Sequence, residues 1–567
     1  MQFKKIILFL IISLTILSAR GSLLLVGGGY EGKNSWADLP YNWFVRQADS
    51  GKIVILGYDG TDDGYAEYFQ YVGANSNSHE LKIDTRNTAN DSSIFNDIVS
   101  ADGIFIEGGN QWRYVSNWKN TLVEEAIHEV FNNGGAIGGS SAGLAILGEI
   151  CFDARNGSAL PEETAVNAWD PHISLTDDFL EILPGVLTDS HFHPRGRLGR
   201  LVPMMAQRIL FHGDENLMGI GVDDKTALCV AQDLQVKCYG KGSVTILYKS
   251  NNSEIVSEQN KPVKFTNLNF EQLVHGMEYD LSAREPMNPE QYLTQVEITD
   301  QSNSYQEIEI DGANSEAASL GKIKIKGLTS NYLNAWYGDL SINNGQNKIP
   351  ASVIIPKVWS NDDYFENRII GGLFGVAKNP GFQSIYLDDK CSCHIDEDGI
   401  LTVDNYAIVL DTRNMKYVGF PQKEQESAPI PNSNHPGMIG AKIHFLSDGD
   451  KYDLQNHSVT TAIGPEQQTR PGDFELYNCY PNPFNPKTNI RYYVPAESAV
   501  NLAIYGLNGE KIITLVDKVQ KSSVYNFTWS GHDQRGVKVS SGIYLLKLAA
   551  HINGKEYFDT SKMLLMK

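Results

Sequence analysis

At 567 residues the chain is too long for one ordinary core, and about two to four domains are expected. Hydrophobic residues at 41% and charged residues at 20% place it among folded proteins. Lys+Arg 47 against Asp+Glu 68 leaves a formal charge of −21, which argues against a nucleic-acid partner, since phosphate binding needs a basic surface.

The first element is a leader. Lys4 and Lys5 precede the apolar or hydroxyl run Ile6 to Leu17, and Ser18-Ala19 supply small residues before Arg20. That order is that of a secretory signal peptide over residues 1–19, and the apolar run is too short to span a bilayer comfortably. An exported protein, secreted or at the cell surface, is expected. Its six cysteines are too scattered for a staple framework, though Cys229 and Cys238 could meet across a hairpin. Cys391-Ser392-Cys393-His394 lacks a fourth ligand, so neither a metal nor a cofactor is expected.

Leu23 to Val26 runs into Gly27-Gly28-Gly29, Lys52 to Gly57 repeats the design, and Gly103 to Ile106 leads to Glu107-Gly108-Gly109. Between them, Trp43 to Ala48, Tyr65 to Val72 and Trp118 to Phe131 carry apolar residues at helical spacing. Apolar strands alternating with helices predict an α/β domain, an open and mostly parallel sheet covered on both faces, over residues 20–240. Ligands of such sheets bind beyond the carboxyl ends of the strands.

Gly135 to Leu144 carries Gly139-Ser140-Ser141-Ala142-Gly143, a Gly-x-Ser-x-Gly pattern suited to a tight strand-to-helix turn with an exposed serine. A glycine-rich loop without chemistry is the bland alternative. Downstream, Asp189-Ser190-His191-Phe192-His193-Pro194-Arg195-Gly196-Arg197-Leu198-Gly199-Arg200 offers a base and three arginines. The arginines read either as a solvated helix entry or as forks for substrate carboxylates. Met218 to Leu228 is a strand carrying Asp223-Asp224, either of which could orient a histidine or cap a turn.

Taken in order, Gly-Gly-x-Ser-Ala-Gly, Asp-x-His-Phe-x-x-Arg-x-Arg-x-x-Arg-Leu and Gly-Ile-Gly-x-Asp-Asp-x-Thr-Ala resemble the cyanophycinase and aspartyl dipeptidase family of serine peptidases, over roughly residues 22 to 240. The resemblance implies a class-I glutamine-amidotransferase-like fold with a serine in a strained elbow. It implies Ser141 as nucleophile, His191 as base and Asp224 as acid, with Asp223 as a substitute. It further implies an oxyanion hole at Gly108, Gly109 and backbone at Ala142. Substrate contacts are expected at Ser190, Gln111, Arg195, Arg197 and Arg200, and the expected substrate is an acidic peptide or polypeptide. Ser190 stands where the family has Gln, and Asn110 where it commonly has Asp, so cyanophycin itself is doubtful as substrate. A homodimer is left open.

Residues 241–459 alternate in the manner of strands and are expected to be β-rich, an insertion plus the closing part of the peptidase module. Glu366 to Gly371 and Ser384 to Lys390 echo the earlier helix and the strand ending Asp223-Asp224-Lys225. The echo is either a degenerate repeat or chance; if a repeat, Asp388 or Asp389 packs at a strand end without catalysis. After a linker at 460–473, residues 474–567 hold six or seven short strands, which predicts a β-sandwich. Tyr480-Pro481-Asn482-Pro483-Phe484-Asn485-Pro486, with Ile504 to Glu510 and the terminal Met563 to Lys567, resembles the C-terminal sorting domain of type IX secretion. The secretion machinery is therefore an expected partner. Two readings of the whole compete, an exported serine peptidase and a surface binding or adhesion protein on an inactive peptidase scaffold.

Overall fold

The computed structural model describes residues 21–567 apart from 30, 60–63, 259, 299–302, 327–330, 360–366, 422–432, 461–474, 477–478, 480–483, 495–496, 508, 522, 553–554 and 567. The expected signal peptide, all but the first residue of the expected linker and residues 480–483 lie outside them. The chain forms two compact units, one of Met1–Ala206 with Glu215–Thr460 and one of Gln207–Asp214 with Thr461–Lys567.

In the larger unit a nine-stranded sheet begins with five parallel strands, His79–Lys82, Ile53–Gly57, Gly103–Ile106, Ala136–Ser140 and Leu23–Val26. Four antiparallel strands complete it: Thr226–Val230, Gln235–Gly240, Glu278–Asp280 and Glu285–Met287. The central strands are apolar throughout because helices cover both faces. Tyr41, Phe44, Phe69 and Phe105 fill one side, and Tyr114, Trp118 and Ile127 the other. The helix expected from Trp118 onward is two, Gln111–Trp118 and Leu122–Asn132. Asn120 between them has φ 56°, which ends one helix and lets Thr121 begin the next.

A fifteen-stranded sheet crosses the same unit, and its organisation settles the echo. At its middle, Lys264–Val274 pairs antiparallel with Gly437–Ser447. Outward on one side come Ser243–Tyr248, Met218–Val222, Leu183–Asp189, Gly148–Phe152 and Leu175–Thr176. Outward on the other come Tyr406–Asp411, Gln383–Tyr386, Ile349–Ile355, Gly321–Lys326 and Ser341–Asn344. Each step has the same direction on both sides, antiparallel, antiparallel, parallel, parallel and antiparallel. Helices Leu198–His212 and Ile369–Lys378 sit at matching crossovers.

A third sheet, in the order Ile308–Asp311, Ser392–Ile395, Ile400–Asp404, Lys451–Asp453 and Ser458–Thr460, repeats the order Leu23–Val26, Thr226–Val230, Gln235–Gly240, Glu278–Asp280 and Glu285–Met287. The described residues of 308–460 therefore form a second, shortened copy of the first fold. The stretch 241–459, expected as an insertion plus the closing part of the peptidase module, contains the end of the first copy and the second copy. Among its described residues the second copy has no counterparts of the four parallel strands from Ile53–Gly57 to Ala136–Ser140.

The smaller unit has one sheet of Glu475–Leu476, Thr488–Val494 and Ser523–Trp529, and another of Lys511–Gln520, Ser498–Gly506, Gly542–Ile552 and Lys555–Leu565. Ile490, Tyr492, Leu502, Ile504, Trp529, Leu546 and Leu548 form one core between them.

Candidate active site

Ser141 stands between the strand Ala136–Ser140 and the short helix Ala142–Ala145, at φ 53° and ψ −108°. A non-glycine residue there costs about 1–3 kcal/mol and persists only where its surroundings fix it. Ser141 N–H donates to Val26 O at 2.9 Å and Ser141 O accepts from Ala145 N–H at 3.0 Å. The flanking glycines are needed for close approach. A Cβ on Gly139 would fall 2.4 Å from Gly143 C, and one on Gly143 would fall 2.1 Å from Ile106 O.

His191 follows the strand Leu183–Asp189 at φ 46°, with its N–H on Gly27 O at 2.9 Å. Its Nε2 lies 2.7 Å from Ser141 Oγ, and its Nδ1 is hydrogen-bonded to Asp224 Oδ1. Gly28 lines the ring, where a Cβ would fall 2.2 Å from His191 Cε1. Burial lowers the pKa of His191 from its ordinary value; Asp224 opposes that shift, while Arg197 and Arg195 add to it. The ring is therefore neutral near pH 7, with Nδ1–H on the carboxylate and Nε2 facing the hydroxyl. Asp223 does not share this task. Its Oδ1 accepts from His193 N–H at 2.8 Å and lies 3.0 Å from His193 Nδ1, and its Oδ2 accepts from Ser243 N–H and Oγ–H at 2.9 Å.

The Gly108-Gly109 turn runs beside the serine, a Cβ on Gly108 falling 3.4 Å from Ser141 Cβ. Tyr114 Oη, 3.0 and 3.1 Å from Glu107 O and Gly108 O, ties the turn's carbonyls on that side. Ala142 opens the helix after Ser141, where leading N–H groups have no intrahelical partner. Asn110, the departure from Asp, caps the helix Gln111–Trp118 by accepting from Trp112 N–H at 2.9 Å. Gln111 is the first residue of that helix and is half-buried.

Two of the three arginines, and Ser190, expected as substrate contacts, are turned into the protein around Asp189. Arg200 is 1% exposed, with Nε and Nη2 on the two oxygens of Asp189 at 2.7 and 2.5 Å and its guanidinium 4.5 Å from the Phe152 ring centre. Arg197, 7% exposed, donates to Asp189 Oδ1 and Ser190 O at 3.1 and 2.7 Å. Ser190 is 2% exposed, its Oγ 3.3 Å from Arg197 Nη1. A charge this enclosed requires a partner, and Asp189 is that partner, so these groups brace the segment after His191. Burial raises the Asp189 carboxyl, but Arg200 and Arg197 outweigh it and hold it below the usual range. Arg195 alone of the three is half-exposed.

Sequence reasoning missed Asp189 as an anchor although it lies in the quoted motif. It also missed Glu31, whose carboxylate accepts from Tyr41 Oη at 3.0 Å and from Tyr65 Oη and Ser140 Oγ at 3.2 Å. Burial raises its pKa against those donors. Its position just past the Gly27-Gly28-Gly29 turn, on the sheet edge where Ser141 stands, was the available signal. Cys229 and Cys238 do not pair. Cys229 faces Lys237 in the ladder and Cys238 faces Leu228, so the two thiols are out of register.

Comparison with known proteins bears on residues 23–237, which match the model of Peptidase family S51. The cyanophycinase of Trichormus variabilis is 30% identical over 276 residues, covering 47% of this chain and 88% of its own length. That of Geminocystis herdmanii is 26% identical over 279 residues, covering 47% and 96%. Among solved structures, a peptidase from an acI-B1 Actinobacterium aligns at 18% identity with a TM-score of 0.32, over 46% of this chain and 97% of its own.

Proposed function

We propose, for a chain that belongs to Peptidase family S51 and is a serine-type hydrolase, that it cleaves a peptide or isopeptide bond through an acyl-enzyme on Ser141. One observation carries this reading, the unbroken relay from Ser141 Oγ to His191 Nε2 and from His191 Nδ1 to Asp224. Neutral His191 takes the serine proton as Oγ attacks the carbonyl carbon, and Asp224 stabilises the imidazolium that forms. The oxyanion of the tetrahedral intermediate takes hydrogen bonds from backbone N–H groups at Gly109 and Ala142, the turn and elbow that flank the serine. His191 then gives its proton to the leaving amine and next activates the water that hydrolyses the ester.

Arg195, half-exposed and close enough to depress His191, is the cation that favours an acidic residue next to the scissile bond. The strained strand-to-helix serine supports the elbow reading, and two sheets around one core support a C-terminal sandwich. Export and type IX sorting rest on the leader and on the terminal sequence block. A serine-directed fluorophosphonate tests the core of the proposal. Wild-type protein is expected to be labelled and Ser141→Ala not; equal labelling or equal turnover would overturn it.

A further inference from the structure

The second copy has lost the groups that would let it react. Its strand Ile308–Asp311 leads through Gly312 straight into the turn Ser315–Ser319, capped by Asn314 at φ −92°, so no serine in a strained elbow precedes its next strand, Gly321–Lys326. Lys357 occupies the place of His191. It has φ 53° against 46°, and its N–H donates to Gly312 O at 3.2 Å as His191 N–H does to Gly27 O. The next residue repeats the correspondence, Val358 N–H on Leu387 O at 3.0 Å and Phe192 N–H on Val222 O at 3.2 Å. A Cβ on Gly27 or Gly312 would fall 2.0 Å from the carbonyl oxygen of Asp223 or Asp388 respectively. Asp388 and Asp389 thus stand at the strand end of Asp223 and Asp224, with no nucleophile or imidazole before them.

The copies meet as two subunits of a dimer would. Lys264–Val274 and Gly437–Ser447 start 173 residues apart, as do Glu278–Asp280 and Lys451–Asp453. Applying that offset to the pair Phe265 and Phe445 gives Met438 and Gln272, which is also a pair in the ladder, so the contact is two-fold in register. Side chains of the second copy then reach the segments that carry the base and the acid. Asn367, 5% exposed, donates through Nδ2 to His193 O at 2.5 Å and Pro194 O at 3.2 Å. The Trp359 ring lies where a Cβ on Gly196 or Gly199 would fall 3.1 or 2.8 Å away. Lys225, next to Asp224, stands 4.9 Å from the Trp336 ring centre. His435, fully buried, brings Nε2 within 3.8 Å of Asp223 Oδ2, while its Nδ1 lies 2.8 Å from Ser433 Oγ.

We propose that the second copy is a covalently attached, non-reacting subunit that completes the active site, with Asn367 and His435 as positioning residues for His191 and Asp224. The inference rests on the catalytic reading of Ser141. Asn367 fixes the backbone two and three residues after His191. His435 packs against Asp223, whose bonds to His193 and Ser243 hold the strand end that presents Asp224. Neither residue touches the reacting atoms, so both act on the alignment of the relay and not on binding.

The test compares full-length wild type with Asn367→Leu, His435→Ala and His435→Gln, reading kcat, KM and the rate of fluorophosphonate labelling. Misalignment of a relay by about 1 Å costs on the order of 100-fold. Asn367→Leu, with the amide's shape but no donor, is expected to lose roughly 10- to 100-fold in kcat and labelling rate, with KM within about twofold. His435→Ala is expected to fall in the same way and His435→Gln, which restores a neutral polar group, to recover most of the loss. Folded Asn367→Leu with wild-type kcat, or with a change in KM alone, overturns the proposal. If Asn367→Leu does not fold, the His435 pair decides, and kcat equal to wild type in both overturns it. Wild-type protein that shows no Ser141-dependent labelling would overturn the catalytic reading first, and this inference with it.

Discussion

Arg200→Leu separates a bracing role from a substrate-binding one. The wild-type guanidinium makes two charge-assisted bonds to Asp189, approaches Ala159 O at 3.4 Å and lies over Phe152, all within the protein. Removing it leaves a buried carboxylate with Arg197 as its remaining cation. Breaking a buried pair from one side costs about 3–5 kcal/mol. The folding constant should fall by about 10²- to 10⁴-fold, at about 1.4 kcal/mol per factor of ten. The sign of the pH dependence follows from Asp189. Its depressed carboxyl contributes stability that is present above the unfolded value of about 3.9 and is lost as pH falls through the folded value. Without Arg200 that folded value rises, so acid unfolding should begin at a higher pH. Urea unfolding of the full chain followed by tryptophan fluorescence at pH 7 and pH 4.5 measures both effects. Unchanged urea midpoints, together with a KM raised for acidic peptides alone, would refute the bracing role and return Arg200 to the substrate.

Asp224→Asn should lower kcat by on the order of 10⁴, because the amide no longer selects the tautomer that leaves Nε2 free; steady-state rates on any turned-over peptide check it. The acid limb of kcat/KM should lie below the ordinary histidine value of about 6.5, since activity needs neutral His191 and burial favours that form. Removing a neighbouring positive charge by Arg195→Ala should move that limb upward and raise KM more for acidic than for neutral peptides; a pH–rate series on the two substrate types reads both. Gly28→Ala should abolish labelling in a folded protein, because its methyl group would occupy the His191 ring position.

The relay was legible in the sequence because its backbone demands are written as glycine. Gly139, Gly143 and Gly28 stand where a Cβ would collide with Gly143, Ile106 and His191. The arginines were not legible in the same way. Arg195, Arg197 and Arg200 are chemically alike in one motif, and only side-chain direction sends two of them to Asp189. The echo at Ser384 to Lys390 was visible, but the extent of the second copy was not. Leu23–Val26 is a central strand, buried throughout, whereas Ile308–Asp311 is an edge strand with Glu309 and Asp311 exposed. Loss of the neighbouring parallel strands turned an apolar run into an alternating one, which reads as any half-exposed strand. Asn367 and His435 had no local signal at all, since their partners lie 174 and 212 residues away in the chain.

The ladder between Lys264–Val274 and Gly437–Ser447 also decides how the protein responds to dilution. A site shared between separate chains empties by mass action as concentration falls, and its specific activity falls with it. Here the two halves are joined by the chain itself, so their encounter is intramolecular and its effective concentration is set by the tether. Specific activity should therefore be the same at nanomolar as at micromolar protein.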